Sequence, residues 1–330
     1  MKKYNYFFGV DISKKTIDIT CIIYQEMSHR QFTNDPEGMQ LLLQWLKELN
    51  IVLGQTLFCM ESTGLYCFPL TQFLTENEID IWIEHAARIK KATALDRGKN
   101  DKVDSKRIAV YATKNLDHLR LWKPMDPTLQ KIKHLATLRE RLVDTKKKLV
   151  IPIKEFEEMG NIAMAKMLGK TIKHSLAALD KDLKNIETKI IEIINEDENL
   201  KQLYKLITSV VGIGFVTAIN LLVYTNGFTV MKDARKLACY CGVAPFEYSS
   251  GSSIRGRTKV HFMANKKLKC NLHMASLSAV KLDADLKMYY ERKVAEGKSK
   301  LSVLNAVKNK LLARVIAVVN KQELYVKKAA

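Results

Sequence analysis

The chain has 330 residues, 47% of them hydrophobic, and its 54 lysines and arginines against 35 acids give a formal net charge of +19. This length and hydrophobic content favour two folded domains and exclude a disordered chain. Because no apolar run approaches the roughly 18 residues of a membrane span, the basic excess indicates a polyanionic partner other than a membrane, for which nucleic acid is the first candidate, and predicts a cytoplasmic protein.

The first predicted element is a β-hairpin that carries an acid. The apolar run Phe7–Val10 leads to Asp11, and after Ser13–Lys15 a second alternating run covers residues 16–24, which is the pattern of two strands joined by a tight turn. A carboxylate among strand residues is costly to desolvate unless something compensates its charge, and a divalent cation with oxygen ligands would do so. The alternative is that Asp11 only begins the turn, where Asp is common.

The rest of the first 125 residues predicts strands alternating with helices. We expect a third strand at 30–34, a helix beginning at Asp35-Pro36-Glu37, a strand at 56–60 that ends at Glu61, a helix at 65–76 and a strand at 79–83. Three strands in hairpin order, followed by strands that alternate with helices, indicate a mixed sheet covered by helices. Glu61 is then a second carboxylate at a strand end.

Two more acids open the next predicted helix. Asp101 and Asp104 are three residues apart, so on a helix they share one face, and two acids held together repel each other unless a cation lies between or beside them. The alternative is an ordinary charged first turn, which the helix dipole favours. Taken with Asp11 and Glu61, they form the set of hard oxygen ligands that a two-magnesium phosphodiester site requires.

The middle of the chain predicts long helices. Two apolar stripes, at 135–149 and at 172–193, recur with helical spacing, and the second is typical of a coiled-coil seam. Because Pro152, Gly160 and Gly169 offer places to turn between them, we predict an antiparallel helical hairpin. An ordinary helical bundle is the alternative, since the periodicity does not identify the packing partner.

Two features of the last third indicate contact with phosphate. A Gly-Ile-Gly turn joins two predicted helices and exposes backbone N–H groups, as in helix-hairpin-helix DNA binders, although simple helix packing uses the same glycines. The segment CGVAPFEYSSGSSIRGRTK, residues 241–259, predicts a serine- and glycine-rich loop that either binds an anion or is merely solvated. The candidate nucleic-acid-binding residues are Gly212, Gly214, Arg255, Arg257, Lys259, Lys266, Lys267 and Lys269.

Three segments of the first half, GVDISKKTID, MESTGLY and KNDKVDSKRIAVYA, resemble the RuvC-like, RNase H-type domain of the DEDD-motif bacterial transposases of insertion-sequence family one-ten. The resemblance implies that Asp11, Glu61, Asp101 and Asp104 are catalytic and bind Mg²⁺, with Mn²⁺ as a substitute. An actin-like ATPase also begins with an acid-bearing hairpin, but it needs glycine-rich phosphate loops that are missing here.

The segment at 241–259 is similar to the C-terminal transposase domain of the same family. On that match Ser250, directly before Gly251, is the nucleophilic serine, and Ser249 is its rival because a one-residue shift in the alignment would exchange them. The resemblance therefore implies an α/β RNase H-like domain with a mixed sheet at 1–125, a coiled-coil helical arm at 126–200 and a mainly α transposase domain at 201–330.

The resemblance also implies a function. Members of this family cut and rejoin donor and target DNA, guided by a structured non-coding bridge RNA, and we expect a phosphoserine intermediate, a homo-oligomer (dimer or tetramer) and association with the nucleoid when the enzyme is active. The alternative is a RuvC-like endonuclease that acts on branched DNA with activated water and leaves Ser250 unused. A third reading is a basic nucleic-acid-binding protein with an inactive nuclease fold.

Overall fold

A computed structural model describes residues 3–24, 26–92, 100–250 and 254–326, and within these ranges the side chains of Tyr248, Ser250, Ile254, Arg255 and Arg257 lie outside the description. The chain folds as two units, Met1–Pro124 and Met125–Ala330. In the part of the chain that is described, no helix is long and apolar enough to cross a bilayer.

The first unit is built on a five-stranded mixed sheet, which confirms the predicted fold class. Its strands are β1 (Tyr6–Ile12), β2 (Thr16–Ile23), β3 (Glu26–Thr33), β4 (Thr56–Glu61) and β5 (Asp80–Glu84), in the order β3-β2-β1-β4-β5. β1, β2 and β3 pair antiparallel, whereas β1, β4 and β5 are parallel. The hairpin is short because Ser13 N–H donates to the carbonyl of Thr16 at 2.9 Å, which closes a tight turn.

Helices cover both faces of this sheet. On one face, α1 (Pro36–Glu48) and α2 (Phe68–Glu76) bury an aromatic core in which Phe8 stacks on Phe58 at 4.5 Å between ring centroids. A 3-10 turn at Gly64–Cys67 precedes α2, so the helix begins three residues later than the sequence predicts. The other face is covered by α3 (Ala86–Ala92) and α4 (Asp101–Lys114).

In its described residues, 125–250 and 254–326, the second unit is helical apart from one β-hairpin. Its elements are α5 (Pro127–Glu158), α6 (Ile162–Thr171), α7 (Lys173–Glu196), α8 (Glu198–Thr208), α9 (Phe215–Tyr224), α10 (Ala234–Tyr240), β6 (Phe246–Ser250), β7 (Ile254–Lys259), α11 (Lys266–Leu282), α12 (Ala284–Ala295) and α13 (Lys300–Lys321). Helix α13 lies in the core, with Val307, Leu311, Leu312 and Val315 fully buried.

The predicted two-helix hairpin is a three-helix arrangement. α5 and α7 pack antiparallel, since Arg139 pairs with Glu187 and, further along α5, Lys146 pairs with Asp180 earlier on α7. The separate helix α6 connects them after a turn at Gly160, whose φ is +76°. Pro152 does not end α5 but lies inside it. A coiled coil in this region stays a prediction.

The predicted serine-glycine loop is also wrong in part. Residues 246–259 form β6 and β7, which pair antiparallel with Ser249 opposite Arg255. The strands are consistent with the aromatic and β-branched residues that interrupt the serines and arginines, because such side chains favour extended backbone. The hairpin tip, residues 251–253, lies outside the described residues.

Candidate active site

Two of the four predicted acids end parallel strands at the same edge of the sheet. Asp11 follows Val10, which pairs with Met60, so Asp11 on β1 lies beside Glu61 at the end of β4. Glu61 in turn pairs with Glu84, the last residue of β5. Because the carboxyl ends of parallel strands meet at one edge, this register places Asp11, Glu61 and Glu84 there. We use the name acidic edge for the four predicted acids, Asp11, Glu61, Asp101 and Asp104.

Helix α4 brings the other two acids to Asp11. The helix begins at Asp101, where the Asn100 side chain accepts a hydrogen bond from Val103 N–H at 2.7 Å. Its next turn packs directly on β1: a Cβ added to Gly9 would lie 2.3 Å from the Ser105 carbonyl oxygen. Gly9 and Asp11 share one face of β1 because side chains alternate along a strand. The acids of the first helical turn therefore approach Asp11.

The carboxylates of the acidic edge act on one another. The pKa of Asp11 is raised to about 6, first by burial and then by the negative charges of Asp101, Asp104, Glu61 and Asp18. Three of these charges belong to the predicted set, so the fold brings all four predicted acids into one electrostatic neighbourhood.

Glu61 lies in a more mixed environment. Burial raises its pKa, and Asp104 raises it further, whereas the nearby side chains of Lys90 and His85 act in the opposite direction. The charge of Asp104 is itself partly compensated, because Arg107 donates a hydrogen bond to it at 2.9 Å. The acidic edge is thus an accumulation of negative charge that basic side chains balance only at its margin.

Two further acids lie next to this set, and the family resemblance does not name either of them as a metal-binding residue. Asp18 is opposite Asp11 on β2, is only 4% exposed, and accepts hydrogen bonds from His29 Nε2 and Gln31 Nε2 at 2.9 Å each. The sequence could have indicated this buried acid, because Asp18 lies in the middle of the alternating strand segment TIDIT. An acid at such a position is buried when the strand lies inside a sheet.

Glu84 is the second of them. It is 8% exposed and accepts a hydrogen bond from the Tyr111 hydroxyl at 3.3 Å, and Arg88 lies 3.5 Å from the same carboxylate oxygen. Its position at the end of a predicted strand, as for Glu61, was the sequence signal.

The donor chemistry of the acidic edge fits a divalent cation. All four side chains offer hard oxygen atoms, which Mg²⁺ prefers, and their mutual repulsion is what a bound cation would relieve. Among the residues that the structure describes, no three His, Cys, Asp or Glu side chains are arranged as a metal-binding group, and Asp104 is turned to Arg107. The fit thus rests on donor type and proximity.

The predicted nucleophile lies in the second unit. Ser250 is the last residue of β6 and pairs with Ile254, while Ser249 is exposed and pairs with Arg255. The side chains of Ser250, Arg255 and Arg257 are outside the described atoms, so only their backbone positions on the hairpin are known. Lys259 is exposed at the end of β7.

The two glycines of the predicted phosphate turn differ. Gly212 has φ of +97°, and a Cβ there would lie 2.6 Å from the Ala279 Cβ, so it allows the turn to pack against α11. Gly214 caps α9, and an added Cβ would meet nothing within 4 Å. Packing explains Gly212, whereas a phosphate contact remains a prediction for both.

The lysines of the first turn of α11 also differ. Lys266 is exposed and Lys269 half-buried, but Lys267 pairs with Glu140 of α5 and its Nζ lies 5.8 Å from the Tyr224 ring centroid. Lys267 is therefore engaged within the protein. Lysines at a helix N-terminus oppose the helix dipole, so their presence in this turn is consistent with an external anion.

Known families match both units. A family model described as "Transposase" matches residues 8–156, and one described as "Transposase IS116/IS110/IS902 family" matches residues 204–291. Asp11, Glu61, Asp101 and Asp104 all fall within the first match, and β6, β7 and the start of α11 fall within the second.

Full-length relatives agree with these matches. The chain is 26% identical over 325 residues to the pilin gene-inverting proteins of Moraxella bovis and Moraxella lacunata, and each alignment covers 98% of both proteins. It is 30% identical over 134 residues to an uncharacterised protein of insertion element IS110 from Streptomyces coelicolor, which covers 41% of this chain and 32% of that protein. The chain therefore belongs to the IS116/IS110/IS902 family of DNA transposases.

Proposed function

We propose that this transposase cuts DNA with a divalent cation, Mg²⁺ or its substitute Mn²⁺, held by Asp11, Glu61, Asp101 and Asp104. The observation that carries the proposal is the convergence of two parallel strand ends and the first turn of α4 on Asp11. A cation bound there would polarise the scissile phosphate and stabilise the charge of the departing oxygen.

Ser250 is proposed as the nucleophile. Its hydroxyl oxygen attacks the scissile phosphorus, a bond to one ester oxygen breaks, and that oxygen leaves as a DNA hydroxyl carrying a proton. A second strand end then attacks the phosphoserine and restores the serine, so the phosphodiester energy is conserved. Arg255 and Arg257, on the strand that pairs with β6, are suited to neutralise the phosphate charge.

Rejoining distinguishes this proposal from simple cleavage. Two full-length relatives bear the name of gene-inverting proteins, and inversion of a DNA segment requires broken ends to be exchanged and resealed. A covalent protein–DNA intermediate keeps the ends activated during that exchange. By this analogy we infer recombination between two DNA sites rather than hydrolysis.

The alternative is a metal-dependent endonuclease that acts on branched DNA. It is favoured by one observation: all four acids lie in the first unit, so that unit alone would supply every proposed cation ligand. Such an enzyme would activate water and would not use Ser250.

Each of the three segments of the chain has its own proposed role. Residues 1–125 would hold the cation, 126–200 would form an arm that pairs subunits of a dimer or tetramer, and 201–330 would carry the serine. The net charge of +19 suits both donor and target DNA and a structured non-coding guide RNA. Such an enzyme would be found at the bacterial nucleoid when it is active.

The experiment uses the full-length chain with RNA transcribed from the flanking non-coding DNA, labelled donor and target DNA, and Mg²⁺. Denaturing electrophoresis separates free cleaved strands from protein-linked strands. We expect Ser250→Ala to abolish both linkage and cleavage and Ser249→Ala to retain them, whereas Asp11→Asn abolishes both. Cleavage by Ser250→Ala at the wild-type rate would support the endonuclease instead.

A further inference from the structure

A surface cavity of about 590 Å³ lies in the first unit, beside β5. Helix α3, the end of α4 and the segment that follows α4 form its walls. This volume is within the range of about 300–1,000 Å³ that is common for small-ligand sites. The described side chains that define this cationic cavity are Arg88, Lys91, Tyr111, His118, Leu119 and Arg120.

The cavity walls carry an excess of positive charge. Three of the lining residues are cations, and the acid among the described lining residues, Asp117, lies 3.4 Å from His118. Lys91 and Arg120 are both exposed, and within the described ranges neither has an ion-pair partner. Several other surface lysines, such as Lys189 and Lys201, pair with acids of their own helices. The cavity thus suits an anion.

The inner wall connects the cavity to the acidic edge. The hydroxyl of Tyr111, a buried side chain, donates to Glu84, which pairs in register with Glu61. Arg88 lies 3.5 Å from Glu84, so this ion pair offsets part of the charge of both groups, and Lys91 and Arg120 carry the rest of the positive charge of the described lining. The ring of Tyr111 and the side chain of Leu119 supply apolar surface for a sugar or a base.

We propose that the cationic cavity binds a backbone phosphate of a nucleic-acid strand that also passes the acidic edge. This inference rests on the proposed function, because a strand held for cleavage carries further phosphates on either side of the scissile one. Two lining residues of the cavity, Tyr111 and Arg88, contact Glu84, and Glu84 pairs in register with Glu61. The cavity is thus connected to the acidic edge through neighbouring strand ends. The strand is either substrate DNA or guide RNA, which share this chemistry.

The test measures binding without cleavage. Fluorescence anisotropy of labelled single-stranded DNA and, separately, RNA is recorded with the full-length chain in EDTA over about 50–400 mM KCl. The double variant Lys91→Ala/Arg120→Ala is compared with Lys3→Ala/Lys47→Ala, which removes the same charge from exposed positions of the same unit outside the cavity.

We expect the cavity variant to bind several-fold more weakly, with a log–log salt slope shallower by about 0.7, the value for one lost phosphate contact on a single strand. The control variant keeps the wild-type slope. A loss with DNA alone or with RNA alone supports the cavity and identifies the strand, and a loss with both supports it as a shared site. Equal changes in the two variants, or no change in either, would overturn the proposal.

These outcomes are separable from those of the cleavage assay, because binding in EDTA needs no divalent cation. Normal cleavage with unchanged salt slopes would contradict phosphate binding in the cavity but would leave the proposed function intact. Weakened binding by the cavity variant together with cation-independent cleavage would support phosphate binding in the cavity and contradict the proposed function. Thermal melting of both variants checks the fold, which these exposed substitutions should leave unchanged.

Discussion

Asp18 lies directly opposite Asp11 in the β1–β2 pair, so two carboxylates occupy one cross-strand position on the face of the sheet that α4 covers. Like charges placed opposite each other destabilise a sheet. Asp18 is kept there by two side-chain donors from β3, His29 and Gln31. Asp18 therefore uses its carboxylate oxygens to accept hydrogen bonds within the protein, whereas the carboxylate of Asp11 is left for a ligand.

We predict that Asp18→Asn is more stable than Asp18→Ala by about 1 kcal/mol. Both variants lose the charge, so their difference reports the acceptor that Asn retains for the donors on β3. Urea unfolding of the metal-free protein at constant pH measures it. Equal stabilities would mean that these hydrogen bonds contribute nothing.

The raised pKa of Asp11 predicts how stability depends on pH. Its pKa is about 6 in the fold, against the ordinary aspartate value of 3.8, so between these pH values the folded state binds more protons than the unfolded state. The free energy of unfolding of the metal-free protein should therefore fall as pH rises from about 4 to about 6 through this group. Cation binding should strengthen over the same range, because the ligand must be deprotonated.

Asp11→Asn should consequently stabilise the metal-free protein above pH 6. The pKa difference corresponds to at most about 3 kcal/mol, and solvent screening of this half-buried group reduces our expectation to about 1 kcal/mol, or about 2–4 °C in Tm. The same variant should lose the rise in Tm that Mg²⁺ gives the wild type. Thermal scans with EDTA and with Mg²⁺ test both statements, and a less stable Asp11→Asn in EDTA would contradict the crowding of these acids.

The close approach at Gly9 predicts a second effect on the same site. An added Cβ would lie 2.0 Å from the Ala109 nitrogen, so Gly9→Ala must push α4, with Asp101 and Asp104, away from β1. We expect the free energy of unfolding to fall by about 3 kcal/mol, and we expect Mg²⁺ to raise the Tm of this variant less than that of the wild type.

Gly54→Ala is the matched control, because a Cβ there would meet nothing within 4 Å. Its stability and its response to Mg²⁺ should stay near those of the wild type. If Gly9→Ala behaves like this control, α4 does not depend on the contact with β1.

The sequence predicts the sheet and α4 well, because their signals are local. A continuous apolar run marks β1, an alternating run marks β2, and the Asn100 cap followed by Asp101 marks the start of α4. The four acids were grouped by their positions at two strand ends and one helix start, and the family resemblance gave the same set. The fold explains this grouping through the parallel register of β1 with β4 and the missing side chain at Gly9.

Features that depend on distant partners were missed. The burial of Asp18 is set by donors on β3, and Glu84 is covered by Tyr111, which is 27 residues away. Helix α6 lies where the sequence predicts only a turn, because Pro152 and Gly169 lie within helices instead of ending them. The β6–β7 hairpin was hidden by its serines and glycines, whose local preference is for loops.

The proposed mechanism requires a serine of the second unit to be joined to DNA during the reaction. Reactions of the full-length chain with guide RNA, DNA and Mg²⁺ are quenched in denaturant, the DNA is digested, and mass spectrometry of the proteolysed protein locates any residual nucleotide. We predict a nucleotide phosphate on Ser250 and its absence when Asp11→Asn replaces the wild type. Cleaved DNA without an adduct, or an adduct on another residue, would contradict this account.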